Sequence, residues 1–207
     1  MPFDRYFDER SKKFSNFYGN ERLTRALGRG ALFDRLEFAV QSAIGIDAKH
    51  VLDVGCGSGP LFEPLAAKGI RVTGIEPAAQ MVELAQRQAD RFPGLVEVRQ
   101  ASWEDLDEHD AYDMATALGI FDYVKPAAEL LTRLGAAAPS VVASFPRPGP
   151  RTNFRKIRYG ARGVQVYGYE RAAVEDLART AGLEPVSIET LGRAGYVAHF
   201  TRRASPG

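Results

Sequence analysis

Sulfur and imidazole are scarce in this chain. One cysteine, Cys56, stands in 207 residues. That excludes an internal disulfide framework and a cysteine-built zinc site. Three histidines, His50, His109 and His199, leave few candidates for an imidazole base, and no metal site is expected. No run of about 18 apolar residues occurs, so no segment is expected to span a membrane. The N-terminal stretch MPFDRYFDERSKKF lacks the apolar centre of a secretory signal, and a cytoplasmic location is the expectation. Net charge is nearly absent, with 27 basic residues against 26 acidic ones. A uniformly basic nucleic-acid coat and an acidic disordered tail are both excluded. What remains, 45% hydrophobic and 26% charged residues, is the composition of a folded domain whose core needs no covalent staple.

What is present is alternation. Residues 3–48 read as helical, with Leu32, Phe33, Leu36, Val40, Ala43 and Ile44 on one apolar stripe. Upstream lie the aromatics Phe7, Phe14, Phe17 and Tyr18, and Gly28 and Gly30 mark a bend. From His50 onward, short apolar runs alternate with helical patterns. Strands are predicted at 51–54, 70–75, 95–99, within 112–121, at 141–145, and as a closing pair at 185–191 and 196–201. Helices are predicted at 60–68, 78–92, from Pro126 with Gly135 past its end, and at 172–181. After the 141–145 strand a Pro/Gly/Arg-rich stretch follows to about Gly168, with no strand or helix assigned to it. Strand–helix alternation implies a parallel sheet with helices on both faces.

The most informative segment is Val51-Leu-Asp-Val-Gly-Cys-Gly-Ser-Gly-Pro60, between the first strand and the first helix of that alternation. Glycines there let backbone approach a ligand, and a helix N-terminus adds free N–H groups. The spacing is G-x-G-x-G. The third glycine of a dinucleotide fingerprint would fall at Pro60, and no Gly-Lys-Ser/Thr of a P-loop follows. Asp53 before the glycines is poor company for a pyrophosphate and good company for a ligand with ammonium and sulfonium charges. Glu76 closes the second strand, where a carboxylate can accept from two ribose hydroxyls.

With these residues in place, VLDVGCGSG followed by VTGIEPAAQM resembles the first two motifs of class I S-adenosylmethionine-dependent methyltransferases. The resemblance implies a Rossmann-like α/β fold: a seven-stranded, mostly parallel sheet with helices on both faces. It also implies an N-terminal helical cap over 1–48, a cofactor-binding domain over 49–203 and a tail at 204–207. Carried over by position, Gly55, Cys56, Gly57 and Gly59 would line the methionine part, and Asp53 would orient its amino group. Glu76 would hold the ribose, and Pro77 and Met81 would flank the adenine. The third motif departs from the family pattern, with Ser102 and Trp103 where an acidic residue is usual. Ser102 can still accept a hydrogen bond, and Trp103 either covers the adenine or packs in the core. In the fourth motif, the Leu118 backbone would touch the methionine part, and Asp122 and Tyr123 would point toward the methyl-transfer channel.

The acceptor side is read from charge. Residues 130–169 carry seven basic residues and no acid, so the rest of a chain of net charge +1 is acidic. Arginine forks match carboxylates and phosphates, and Arg147, Arg151 and Tyr169 are the candidate substrate contacts. A narrower likeness rests on Phe14-Ser-Asn-Phe-Tyr-Gly-Asn, Arg29-Gly30 and Ser144-Phe145-Pro146, which are similar to segments of magnesium-protoporphyrin O-methyltransferases. That likeness nominates Tyr18 as part of a lid, although Asp122 replaces the histidine that family carries. The expected function is methyl transfer from S-adenosylmethionine to a small molecule, on oxygen of an anionic or aromatic metabolite, by a monomer or homodimer. The rivals are an RNA methyltransferase and a non-catalytic S-adenosylmethionine-binding protein. Nucleic acid is not the expected partner.

Overall fold

The structure is a computed structural model that describes residues 30–106, 109, 111–161 and 163–203. Helix α1 (Ala31–Gly45) precedes strand β1 (His50–Val54). Next come α2 (Phe62–Ala66), β2 (Arg71–Ile75), α3 (Ala79–Ala89) and β3 (Val96–Arg99). A 3-10 turn (Trp103–Asp105) leads to β4 (Met114–Leu118), α4 (Ala127–Ala137) and β5 (Ser140–Pro146). The chain continues through α5 (Pro150–Gly160), α6 (Arg171–Thr180), β6 (Leu183–Thr190) and β7 (Gly195–Arg202).

The seven strands form one sheet in the order β3-β2-β1-β4-β5-β7-β6. β1 to β5 are parallel, and β7 runs antiparallel to both β5 and β6. The apolar runs become central strands because both faces of the sheet are covered. Period-two alternation sends Leu52 and Val54 to one face and Val51 to the other. The first face packs under α4 and α6, with Leu130, Leu131 and Leu134 fully buried. Each such leucine contributes about 2 kcal/mol of apolar burial. The opposite face packs under Ala39, Val40 and Ala43 of α1, Leu61 and the α2 residues Phe62 and Leu65, and Ala85 of α3. Among the described residues no helix is long and apolar enough to cross a membrane.

Several sequence expectations change. The stretch after β5, to which the sequence reading assigns no element, contains α5, begun by Pro150 in the first helical turn. Only Thr152 and Tyr159 of this helix are buried, so the apolar period that would reveal it is missing. α2 is shorter than 60–68. Gly59, at φ +78°, forms the turn before it, and a Cβ there would lie 2.4 Å from the Phe62 ring. Gly135 lies inside α4, where a Cβ would come within 3.0 Å of Leu183, so it is a packing glycine and not a stop. Ile44, expected inward, is exposed. Tyr18, the other aromatics before Gly30 and the tail 204–207 lie outside the described residues.

Candidate active site

Sheet order reverses between β1 and β4, where the chain leaves first toward β3 and later toward β6. In open α/β sheets the ligand crevice lies at that switch point, beyond the carboxyl ends of the strands. A cavity of about 500 Å³ is found there. Its floor is made by Asp53 of β1 with Gly55, Cys56 and Gly57 after it, Glu76 and Pro77 after β2, and Leu118 of β4 with Gly119 after it. Met81 of α3 closes one side. Leu32, Arg35 and Leu36 of α1 and residues of the β6–β7 turn cover it. Asp122, Tyr123 and the α5 residues Arg151, Arg155, Arg158 and Tyr159 form the far end.

The two acids of the floor are held differently. Glu76 ends a strand buried on both faces and is itself buried. One carboxylate oxygen accepts the Gly57 N–H at 3.0 Å and the other the Ala78 N–H at 3.0 Å. The side chain thus ties the glycine turn to the start of α3. Asp53 is only 3% exposed and accepts the Thr116 hydroxyl at 2.7 Å. Burial pushes its carboxyl up to about 6, against the opposing effects of Thr116 and of the Arg35 charge. Gly57 stands at φ +57° with open space where a Cβ would point, so the turn leaves room for a ligand against its backbone. Burial, with the nearby Asp53 and Glu76 charges, pushes the Cys56 thiol well above its ordinary range. It stays protonated and is no nucleophile.

At the far end, the Arg155 guanidinium donates to the Asp122 carboxylate at 2.5 Å and to the Tyr123 hydroxyl at 2.8 Å. It also lies 5.6 and 5.7 Å from the ring centres of Tyr123 and Tyr159. Burial and the Asp122 charge push the Tyr123 hydroxyl far above its ordinary range, so it offers a proton donor and not a base. Burial alone would lower the Arg155 guanidinium, but Asp122 and Tyr123 outweigh it and hold the charge.

The structure relocates some sequence candidates. Ser102 donates to the Glu104 carboxylate while its own N–H donates to Asp105 at 2.8 Å. Ser102 caps a turn and is not in the cavity wall. Trp103 packs in the core under α4, with the Arg133 guanidinium 5.9 Å from its ring centre. Gly59 shapes the turn from outside the wall. Arg147 is exposed outside it. Tyr169 packs edge-on against Phe145 at 5.7 Å, and its hydroxyl is pushed up to about 12 by burial and by Asp122 and Tyr167. None of the three histidines lines the cavity. His50 meets the Thr73 hydroxyl at 2.9 Å, and His199 meets the Ser140 hydroxyl at 2.7 Å.

Arg155, Arg158, Arg35 and Ser144 line the cavity without having been singled out as site residues. For the first two the missed signal was helical spacing: Arg151, Arg155 and Arg158 recur at i, i+4 and i+7. Arg35 sits between Leu32 and Leu36 on the stripe read as core. Its guanidinium lies 2.8 Å from where a Gly119 Cβ would be, so that glycine makes room for it. Ser144 accepts the Gly119 N–H at 2.8 Å. Among the described residues no group of three histidines, cysteines or acids is placed to hold a metal ion.

Comparison with known proteins agrees with this geometry. A family model described as a methyltransferase domain matches residues 51–137. The ubiquinone biosynthesis O-methyltransferase of Rhodopseudomonas palustris strain TIE-1 is 29% identical over 108 residues, 52% of this chain and 43% of that protein. Its counterpart from Azorhizobium caulinodans is 37% identical over 87 residues, 42% of this chain and 34% of that one. Each match thus spans less than half of the relative's length. Among solved structures, magnesium protoporphyrin IX methyltransferase from Synechocystis PCC 6803, with bound S-adenosylhomocysteine, has a TM-score of 0.79. It is 20% identical, over 96% of this chain and 97% of that one. The 1,6-didemethyltoxoflavin-N1-methyltransferase of Burkholderia thailandensis has a TM-score of 0.67 at 19% identity, over 99% of this chain and 91% of that one. Residues 51–137 thus match a methyltransferase domain, and the chain as a whole shares the fold of these solved methyltransferases.

Proposed function

We propose that the chain is a methyltransferase that takes the methyl of S-adenosylmethionine to an anionic oxygen of a small molecule. The observation that carries this reading is one cavity with two unlike ends. Buried Asp53 and Glu76 flank the glycine turn at one end, and arginines of α5 stand at the other. When bound, S-adenosylmethionine supplies a methyl group made electrophilic by its sulfonium charge. Asp53 holds its cationic amino group, Glu76 in the cavity floor accepts from its ribose hydroxyls, and Pro77 and Met81 flank its base. Arg151 and Arg158 hold the acceptor's anionic group by forked hydrogen bonds. Tyr123 and Arg155 present donors toward the reacting oxygen. A histidine base is absent from the wall and Tyr123 is held protonated, so an acceptor that arrives ionised suits this site best. For such a nucleophile, alignment and exclusion of water supply the rate enhancement. Neither an RNA substrate nor a non-catalytic role is favoured by any particular of the site. Tyr18 as a lid remains part of this proposal.

Titration of the protein with S-adenosylmethionine by calorimetry tests the cofactor assignment, and its pH dependence tests Asp53. Below a pH of about 6 the Asp53 carboxyl is protonated in the free protein, and a cationic ligand must expel that proton to bind. Affinity should be flat above neutrality and fall by up to about tenfold per pH unit below 6. Absence of binding at millimolar ligand overturns the assignment, and a pH-independent affinity removes Asp53 from it.

A further inference from the structure

We infer that the outward face of α5 is a docking surface for an anionic lipid bilayer. The inner face of this helix is fixed by the burial of Thr152 and Tyr159 and by the tie of Arg155 to Asp122 and Tyr123. The opposite side presents Phe154 and Ile157, three residues apart and 65% and 76% exposed. They are the two most exposed large apolar side chains among the described residues. On the helix circumference Arg151 and Arg158 flank this pair on one side and Lys156 stands on the other. No acidic residue occurs between residues 130 and 169.

An apolar wedge within a basic ring matches the layering of an anionic membrane, with phosphates at the surface and acyl chains beneath. A single-stranded nucleic acid would reward Phe154 by stacking but gains nothing from Ile157. A folded protein partner would require a shaped recess rather than an isolated pair of protruding side chains. The remainder of the chain is net acidic, so attraction to an anionic surface orients the molecule with α5 foremost. Phe154, Arg151 and Arg158 also border the cavity, so docking sets the cavity mouth against the headgroups. The docking surface stands independently of the methyl-transfer reading.

The test is sedimentation of the full chain with phosphatidylcholine vesicles, with and without phosphatidylglycerol. Binding to the phosphatidylglycerol vesicles is expected, with little to phosphatidylcholine alone. Ile157→Ser should weaken it about tenfold and Lys156→Glu about fivefold or more. Both residues lie outside the cavity wall, so calorimetric binding of S-adenosylmethionine should be unchanged in the two variants. Ile157→Trp supplies a second readout against the one native tryptophan, buried Trp103: its emission should shift to the blue when phosphatidylglycerol vesicles are added. No binding to these vesicles at low salt, binding indifferent to Ile157→Ser, or an unshifted Ile157→Trp emission overturns the proposal. Tighter binding to a single-stranded RNA that is insensitive to Ile157→Ser assigns the face to nucleic acid instead.

Discussion

Replacing Arg155 with alanine should lower the melting temperature by roughly 5–10 °C and kcat/KM by about 100-fold. The guanidinium is bonded to both Asp122 and Tyr123, and its side chain is 24% exposed against 14% for Asp122. Removing it strands a mostly buried carboxylate, at a cost of about 2–3 kcal/mol. It also frees α5 from the end of β4, to which Arg155 joins it across 33 residues of sequence. Loss of activity then follows from misplacement of Arg151 and Arg158, even though the cofactor end is intact. The double variant Arg155→Met, Asp122→Asn, with no stranded charge, should recover about half of the lost stability and little of the activity. Calorimetric melting and steady-state kinetics on the three proteins separate the two effects. Full activity in a folded Arg155→Ala protein would remove α5 from the catalytic wall.

The second large effect has opposite signs for folding and binding. Asp53→Asn should stabilise the unliganded protein at pH 8 by up to about 3 kcal/mol, while weakening S-adenosylmethionine binding by about 30-fold or more. In the folded chain the Asp53 carboxyl titrates at about 6, above its ordinary 3.8. The stability it confers is therefore complete below 3.8 and lost as pH rises through 6. Above that range its ionised form is a net cost, and asparagine does not ionise. The amide oxygen can still accept the Thr116 hydroxyl that Asp53 accepts at 2.7 Å. The stability gap between variant and parent should thus open between pH 4 and 7 and then level off, as melting curves across pH would show. The wild-type site would then be one in which a destabilising charge is kept for the sake of a cationic ligand. Equal stability of the two proteins at pH 8 would contradict the burial of that charge.

The sheet was legible because buried parallel strands are written as continuous apolar runs. Val51-Leu-Asp-Val and Val141-Val-Ala-Ser-Phe carry their environment in their composition. The glycine turn with Asp53 and Glu76 was legible because its function is local, fixed by short spacings after two strands. α5 was not legible: its seat depends on one arginine reaching back to Asp122, and its exposed face breaks the apolar period by which helices are recognised. Trp103 and Tyr169 show the complementary difficulty. An aromatic side chain near a site looks the same in sequence whether it faces the ligand or the core, and here the core beneath α4 and beside Phe145 holds them. Arg35 was hidden by its neighbours, since Leu32 and Leu36 line the cavity and read as an apolar stripe.

The lone sulfhydryl gives the molecule a clock of its own. Cys56 is 4% exposed in the turn that Glu76 ties to α3, and its proton is held tightly. An alkylating reagent can reach it only when that turn swings away from the sheet. With one thiol per chain, the rate of mass gain under iodoacetamide counts those openings directly, without any engineered probe. Saturating S-adenosylmethionine should slow the count in proportion to occupancy, and Glu76→Ala should quicken it by about tenfold through loss of both backbone ties.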